Sequence, residues 1–120
     1  MIVRDIEISV DFDNGINYTP FYTVQNDIDT YEITFIFEQE ITDLTLRLAF
    51  KLPSETVWIS ELTILDAETA TIILPDVVLD EIGKVGCQLS VTDGTSDRLT
   101  LQESFYFIVN EDFSVNGTQI

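Results

Sequence analysis

Residues 30–38, with the sequence TYEITFIFE, decide the fold. Apolar side chains occupy every second position of this stretch, at Tyr31, Ile33, Phe35 and Phe37. The positions between them are mostly polar. Because successive side chains of a β-strand point to opposite faces, this period predicts a strand with one buried face.

The same alternation runs through most of the chain. Residues 6–12 alternate in this way and end at Asp13-Asn14-Gly15, where glycine can adopt the positive φ of a tight turn. Further strands are predicted over 16–24, 44–51, 57–65, 69–74, 84–92 and 98–110. About eight short strands at roughly ten-residue spacing predict an all-β fold, an antiparallel β-sandwich of about seven to eight strands. A small closed barrel is the structural alternative.

Two of these segments do not have a single predicted arrangement. Pro20 would remove a hydrogen-bond donor from the segment 16–24, so we expect an edge strand, a bulge or a break into two short pieces there. Residues 57–65 are apolar at both odd and even positions, Trp58 included, so the pattern does not assign their buried face.

One short helical turn is expected within residues 75–83. Val78, Leu79 and Ile82 have helical spacing after Pro75, and Gly83 can end the turn, which would cross between the sheets. The chain is predicted to form a single domain over residues 1–112, with 113–120 as a polar tail or the start of a linker.

The charge of the chain excludes several classes of partner. It has 5 Lys+Arg against 22 Asp+Glu, for a net charge of -17. Nucleic acids and anionic membranes are bound through clustered cations, so we expect neither as a partner. A basic protein partner is compatible with this charge. The five cations are scattered along the sequence, at Arg4, Arg47, Lys51, Lys84 and Arg98.

The chain is not expected to be an enzyme or to carry a metal or cofactor. It has no His, which removes imidazole acid–base chemistry and His-containing metal sites. A small sandwich offers no obvious cleft for a substrate.

Asp11 to Gly15 resembles a calcium loop, but its residues do not have the spacing that an EF-hand requires. Asp27 and Asp29 either bind a cation together or lie in a solvated turn. The single Cys87 lies on an apolar parity and is expected in the core.

Aromatic residues outside the clearest apolar stripes are the candidates for contact with a partner or a glycan. Their alternative role is packing in the core or on a sheet face. The candidates are Tyr18, Phe21, Tyr22 and Trp58.

Residues 27–112 resemble the N-terminal Ig-like domain of phage baseplate upper proteins. The most distinctive parts are Leu74-Pro75, the run Ile82-Gly83-Lys84-Val85 and the run Phe105-Tyr106-Phe107-Ile108-Val109. The resemblance implies an Ig-like sandwich that serves as a non-enzymatic structural module of a phage tail baseplate. These motifs are packing positions, so the resemblance transfers no residue-level site.

The resemblance also implies partners and a location. The domain would dock an adaptor protein onto the tail hub, and its partners would be other tail and baseplate proteins or further copies of itself. It would be synthesised in the bacterial host cytoplasm and end in the virion. The alternative function is a small carbohydrate-binding or decoration sandwich on a virion or cell surface.

Overall fold

A computed structural model of the chain describes residues 3–28, 30–94 and 98–120. Ten strands lie within these residues: β1 (Arg4–Asp11), β2 (Gly15–Asn17), β3 (Phe21–Val24), β4 (Tyr31–Phe37), β5 (Thr45–Lys51), β6 (Val57–Glu61), β7 (Thr63–Ile64), β8 (Thr69–Ile73), β9 (Gly83–Thr92) and β10 (Arg98–Asn110). A 3₁₀ helix (Asp76–Leu79) joins β8 to β9, and a short helix α1 (Phe113–Asn116) follows β10. None of the helices in this part of the chain has the length and apolar character needed to span a membrane.

The described strands form two five-stranded sheets that pack face to face. The first sheet has the order β2-β1-β4-β8-β7, and the second has the order β3-β10-β9-β5-β6. The predicted all-β sandwich is therefore confirmed. Both sheets are mixed, because β1 pairs with β4 and β3 pairs with β10 in parallel. The alternation of apolar and polar residues shows which face of a strand is buried. It is the same beside a parallel and an antiparallel neighbour, so it does not predict the direction of pairing.

The two ambiguous segments both change sheets. Residues 16–24 break at Pro20 into β2 and β3, which lie at the edges of different sheets. Residues 57–65 divide in the same way into β6 and β7, on either side of the buried Leu62. In residues 57–65 the apolar side chains at odd positions, Val57, Ile59 and Leu65, are exposed while Leu62 is buried. An apolar outer surface, and not a change of buried parity, therefore explains the apolar residues at both parities of this segment. These two divisions also raise the number of strands above the predicted seven to eight.

The core lies between the sheets and is rich in phenylalanine. Phe35 of the first sheet approaches Phe105 of the second, with ring centroids 5.9 Å apart. Phe107 is fully buried and stacks on Phe21, with centroids 5.2 Å apart. Cys87 is buried as predicted, and this burial raises its pKa well above the ordinary value.

The predicted helical turn between sheets is confirmed by the 3₁₀ helix. It leads from β8 in the first sheet to β9 in the second, with Val78 and Leu79 buried.

A polar link also joins the sheets at Tyr31 of β4. Its hydroxyl accepts a hydrogen bond from the backbone N–H of Val24 at 3.0 Å and donates to Asp27 Oδ2 at 2.6 Å. Burial, followed by the contact with Asp27, raises the pKa of Tyr31.

Candidate interaction surface

The outward side chains of the second sheet collect most of the cations of the protein. On β5 and β9, the buried residues alternate with exposed ones, so the residues between them point away from the core. Four of the five Lys and Arg residues occupy such outward positions on β5, β9 and β10. They are Arg47, Lys51, Lys84 and Arg98, and we call this surface the basic face.

Four of the cations that are scattered along the sequence are therefore gathered on one surface in three dimensions. Strand pairing places Arg47 next to Ser90 and Lys51 next to Gly86, so cations far apart in sequence share one surface. The fifth cation, Arg4, lies in the first sheet, where its Nη1 donates to the backbone oxygen of Tyr22 at 2.8 Å. Sequence distance along a chain does not measure spatial distance across a sheet.

A groove of about 940 Å³ runs along the basic face, although no cleft was expected from the sequence. Its lining includes Lys51, Lys84 and Tyr106. Gly86 lies between Lys51 on β5 and Tyr106 on β10, and a Cβ atom added at Gly86 would meet no atom within 4 Å. The groove is open at this point because position 86 has no side chain.

A smaller depression extends the groove along the sheet. It has a volume of about 250 Å³ and is lined by Arg47, Arg98 and Ile59 among others. Ala49 and Gln88 line both the groove and the depression, so the two are adjacent. Together the two adjacent depressions are lined by all four cations of the basic face, Lys51 and Lys84 in the groove and Arg47 and Arg98 in the smaller depression.

Two aromatic rings shape one end of the groove. Lys84 Nζ lies 4.5 Å from the centroid of the Tyr106 ring, which is within the range of a cation–π interaction. The Tyr18 ring packs edge-on against Tyr106, with centroids 6.4 Å apart, and also contacts Phe105. These contacts hold the Lys84 ammonium group beside the groove.

Carboxylates also adjoin the basic face, because Glu61 is paired with Arg47 and Glu55 lines the groove.

The edge strand β6 borders the basic face with exposed apolar side chains. Val57, Trp58 and Ile59 are 51%, 45% and 66% exposed, and we call them the apolar margin. Val57 is paired with Lys51 and Ile59 with Ala49, so both continue the basic face. Trp58 is instead paired with the buried Phe50, at the rim of the core. An exposed apolar edge strand is a favourable site for contact with another protein.

The outer surface of the first sheet has the opposite charge. Its outward positions on β1 and β4 include Asp5, Glu7 and Glu32, and Asp5 is paired directly with Glu32. Arg4 is the one Lys or Arg in the sequence of that sheet's described strands. We call this surface the acidic face.

The structure does not bring the four predicted aromatic candidates together. Phe21 is 4% exposed and lies in the core, while Tyr18 is half-buried beside the groove. Tyr22 on β3 is 56% exposed, and Trp58 on β6 is 45% exposed. Because β3 and β6 are the two edges of the second sheet, about four strand spacings, or roughly 19 Å, separate their strands. Tyr22 and Trp58 therefore do not form one stacking platform.

The residues of the basic face were missed although the sequence contained a signal for them. Arg47 and Lys51 occupy the polar parity of the same predicted strand, and Lys84 occupies the polar parity of another. Parity alone therefore placed these cations on outer faces. Which strands are neighbours, and hence which cations share a face, depends on pairing that the pattern does not report.

The carboxylates considered as cation ligands have structural partners. Asp11 accepts hydrogen bonds from Gln39 Nε2 at 2.9 Å, from Asn14 Nδ2 at 2.8 Å and from the backbone N–H of Asp13 at 2.9 Å. These bonds, the one from Gln39 most strongly, lower the pKa of Asp11 to about 2. Asp27 accepts the Tyr31 hydroxyl, and Asp29 lies outside the described residues. In the described ranges no group of three or more His, Cys, Asp or Glu residues is arranged to hold a metal ion.

Comparison with known proteins identifies a fold relative. No family model and no curated protein sequence matches the chain. Among solved structures, the chain is similar to the N-terminal domain of phage TP901-1 ORF48, with a TM-score of 0.64. The match covers 88% of this chain and 97% of that chain at 16% sequence identity. At this identity, the likeness establishes a shared fold.

Proposed function

We propose that the protein is a non-enzymatic structural module of a phage particle, which docks an adaptor protein onto the hub of the tail at the baseplate. The observation that carries this proposal is the shared fold with a domain of a phage protein, over 97% of that domain and 88% of this chain. The resemblance of residues 27–112 to baseplate upper proteins supports the same assignment. Its partners are other tail and baseplate proteins, and its location is the virion.

The docking surface in this proposal is the basic face together with the apolar margin. Natural proteins usually protect edge strands with charged residues, short lengths or a covering segment. Val57, Trp58 and Ile59 instead leave three large apolar side chains exposed on β6. Covering them with a partner would bury apolar area at about 25 cal/mol per Å².

The carbohydrate-binding alternative has less support from the geometry. A stacking platform needs aromatic rings within reach of one sugar. Phe21 is buried, and the exposed rings of Tyr22 and Trp58 lie at opposite edges of the sheet.

The test is to locate the protein in particles produced by the strain that carries its gene. Virions are purified and labelled with a gold-conjugated antibody raised against the chain, and their protein content is measured by mass spectrometry. We expect the chain in the virions and the label at the tip of the tail. Label on the capsid would favour a decoration protein, and virions without the chain would contradict the proposal.

A further inference from the structure

The charges of the molecule are separated between its two outer surfaces. In a chain of net charge -17, four of five cations line two adjacent depressions of one outer surface. The acidic face on the opposite side carries Asp5, Glu7 and Glu32. We propose that the groove of the basic face binds an acidic, extended polypeptide segment of a partner protein. This inference rests on the proposed docking function and names the chemistry of the partner.

The arrangement of the cations suits carboxylates presented on one side of an extended chain. Arg47 and Lys51 are four residues apart on β5, or roughly 13 Å along the strand. Lys84 lies on the neighbouring strand β9, two residues from Gly86, which pairs with Lys51. An extended peptide presents every second side chain on one face, with a repeat of about 7 Å. Two carboxylates that are four residues apart in such a segment are separated by two of these repeats, and they can therefore contact Arg47 and Lys51.

The apolar margin provides for the remaining side chains of that segment. Val57 and Ile59 are exposed on the same outer surface as Lys51 and Arg47. Apolar residues of the bound segment can cover these side chains while its carboxylates face the cations. The opening over Gly86 admits a backbone between Lys51 and Tyr106.

A short polypeptide segment suits this surface better than a nucleic acid. The shortest dimension of the domain is 22 Å, and charges are screened over about 8 to 10 Å at physiological salt. A long polyanion would leave the basic face and approach the surrounding carboxylates of a chain with 22 Asp+Glu. A segment confined to the groove avoids that repulsion.

The test measures binding of a defined probe to the whole chain. The probe is a fluorescent peptide of about ten residues in which Glu alternates with Val, which spans roughly 33 Å when extended. A peptide with Gln in place of every Glu is its neutral counterpart. Fluorescence anisotropy at low salt should give a dissociation constant about tenfold lower for the acidic peptide. Added salt should weaken binding of the acidic peptide more than that of its neutral counterpart.

Two variants examine the groove by different routes. Lys51→Gln with Lys84→Gln removes two cations and should weaken binding of the acidic peptide about tenfold. Gly86→Val keeps every charge but fills the open position, and it should weaken binding of both peptides. The φ of Gly86 lies outside the left-handed region and the space above it is empty, so valine is compatible with the strand.

A third variant controls for net charge. Ser9→Glu with Thr63→Glu lowers the net charge by the same amount as the double Lys variant, but at exposed positions of the first sheet. It should bind the acidic peptide within about twofold of the unchanged protein.

The proposal is overturned if the acidic peptide binds no better than its Gln counterpart. It is also overturned if the control weakens binding as much as the loss of Lys51 and Lys84 does, since long-range charge would then explain the effect. A single-stranded DNA that binds the same face more tightly than the acidic peptide would identify a nucleic-acid surface instead. These measurements require no virion, so they can fail when the chain is found at the tail tip, and they can succeed when it is not.

Discussion

The two outer surfaces of the sandwich differ much more than its two inner surfaces. The inner surfaces are both apolar and share one core, with Phe35 from the first sheet and Phe107 from the second fully buried. The outer surface of the first sheet carries Asp5 and Glu7, whereas that of the second carries four cations. The demand for a core constrains only one parity of each strand. The other parity is free to differ, and that difference carries the proposed function.

The comparison also shows what a net charge conceals. A value of -17 predicts repulsion of every anionic partner if charge is spread evenly over the surface. Here the cations are few but concentrated, with both Lys51 and Lys84 lining one groove. The sign of a surface therefore depends on where the minority charge lies.

The largest expected effects test whether the two inner surfaces are equivalent. We expect Phe35→Ala and Phe107→Ala each to lower the free energy of unfolding by about 3–5 kcal/mol, because each leaves a cavity in the shared core. Urea unfolding followed by fluorescence gives the values. Ile36→Ala is the control, since Ile36 follows Phe35 but is 40% exposed. Losses of less than about 1 kcal/mol at one Phe alone would show that its sheet contributes little to the core.

The features that were predicted correctly are those that depend on local pattern. The alternation at 31–37 matches β4, and the spacing after Pro75 predicted the helical turn between the sheets. The parallel pairing of β1 with β4 was not predicted, because it joins strands separated by two others in the sequence. The basic face was missed for the same reason, since neighbours across a sheet are not neighbours along the chain.

A second prediction concerns the polar link that holds the two sheets in place. Tyr31→Phe removes the acceptor of the Val24 N–H and the donor to Asp27 while keeping the ring. We expect the free energy of unfolding to fall by about 1–3 kcal/mol, because the backbone N–H of Val24 loses its partner in a partly buried site. Chemical denaturation provides the measurement, and Tyr22→Phe at an exposed ring is the matched control. Equal free energies of unfolding for the two variants would show that the Tyr31 hydroxyl does not stabilise the packing of the two sheets.

A third prediction separates the two outer surfaces by function rather than stability. Ile59→Thr on the apolar margin and Ile73→Thr on the outer surface of the first sheet alter residues that are 66% and 47% exposed. Each should change the free energy of unfolding by less than about 0.5 kcal/mol, because both side chains are largely solvated. Only Ile59→Thr should reduce the amount of the chain in purified virions, measured by quantitative mass spectrometry. Equal reduction by both variants would mean that the docking surface is not confined to the second sheet.

The smallest expected effect distinguishes one carboxylate of the first sheet from the others. Hydrogen bonds from Gln39, Asp13 and Asn14 lower the pKa of Asp11 from 3.8 to about 2. A lowered pKa stabilises the folded state above the ordinary pKa, and this contribution is lost as the pH falls from about 4 through about 2. Acidification also relieves the repulsion of the other carboxylates, so the effect has to be measured against variants.

We therefore expect the stability gap between the unchanged protein and Asp11→Asn to be largest near neutral pH and to close as the pH approaches 2. Asp5→Asn removes one carboxylate from the acidic face without altering the turn, and it serves as the control for net charge. Thermal unfolding between neutral pH and about pH 2 gives both gaps. If the two gaps vary with pH in the same way, Asp11 acts only as one more negative charge. If the gap for Asp11→Asn alone closes, the carboxylates of the first sheet divide into one that orders a turn and others that set the sign of the surface.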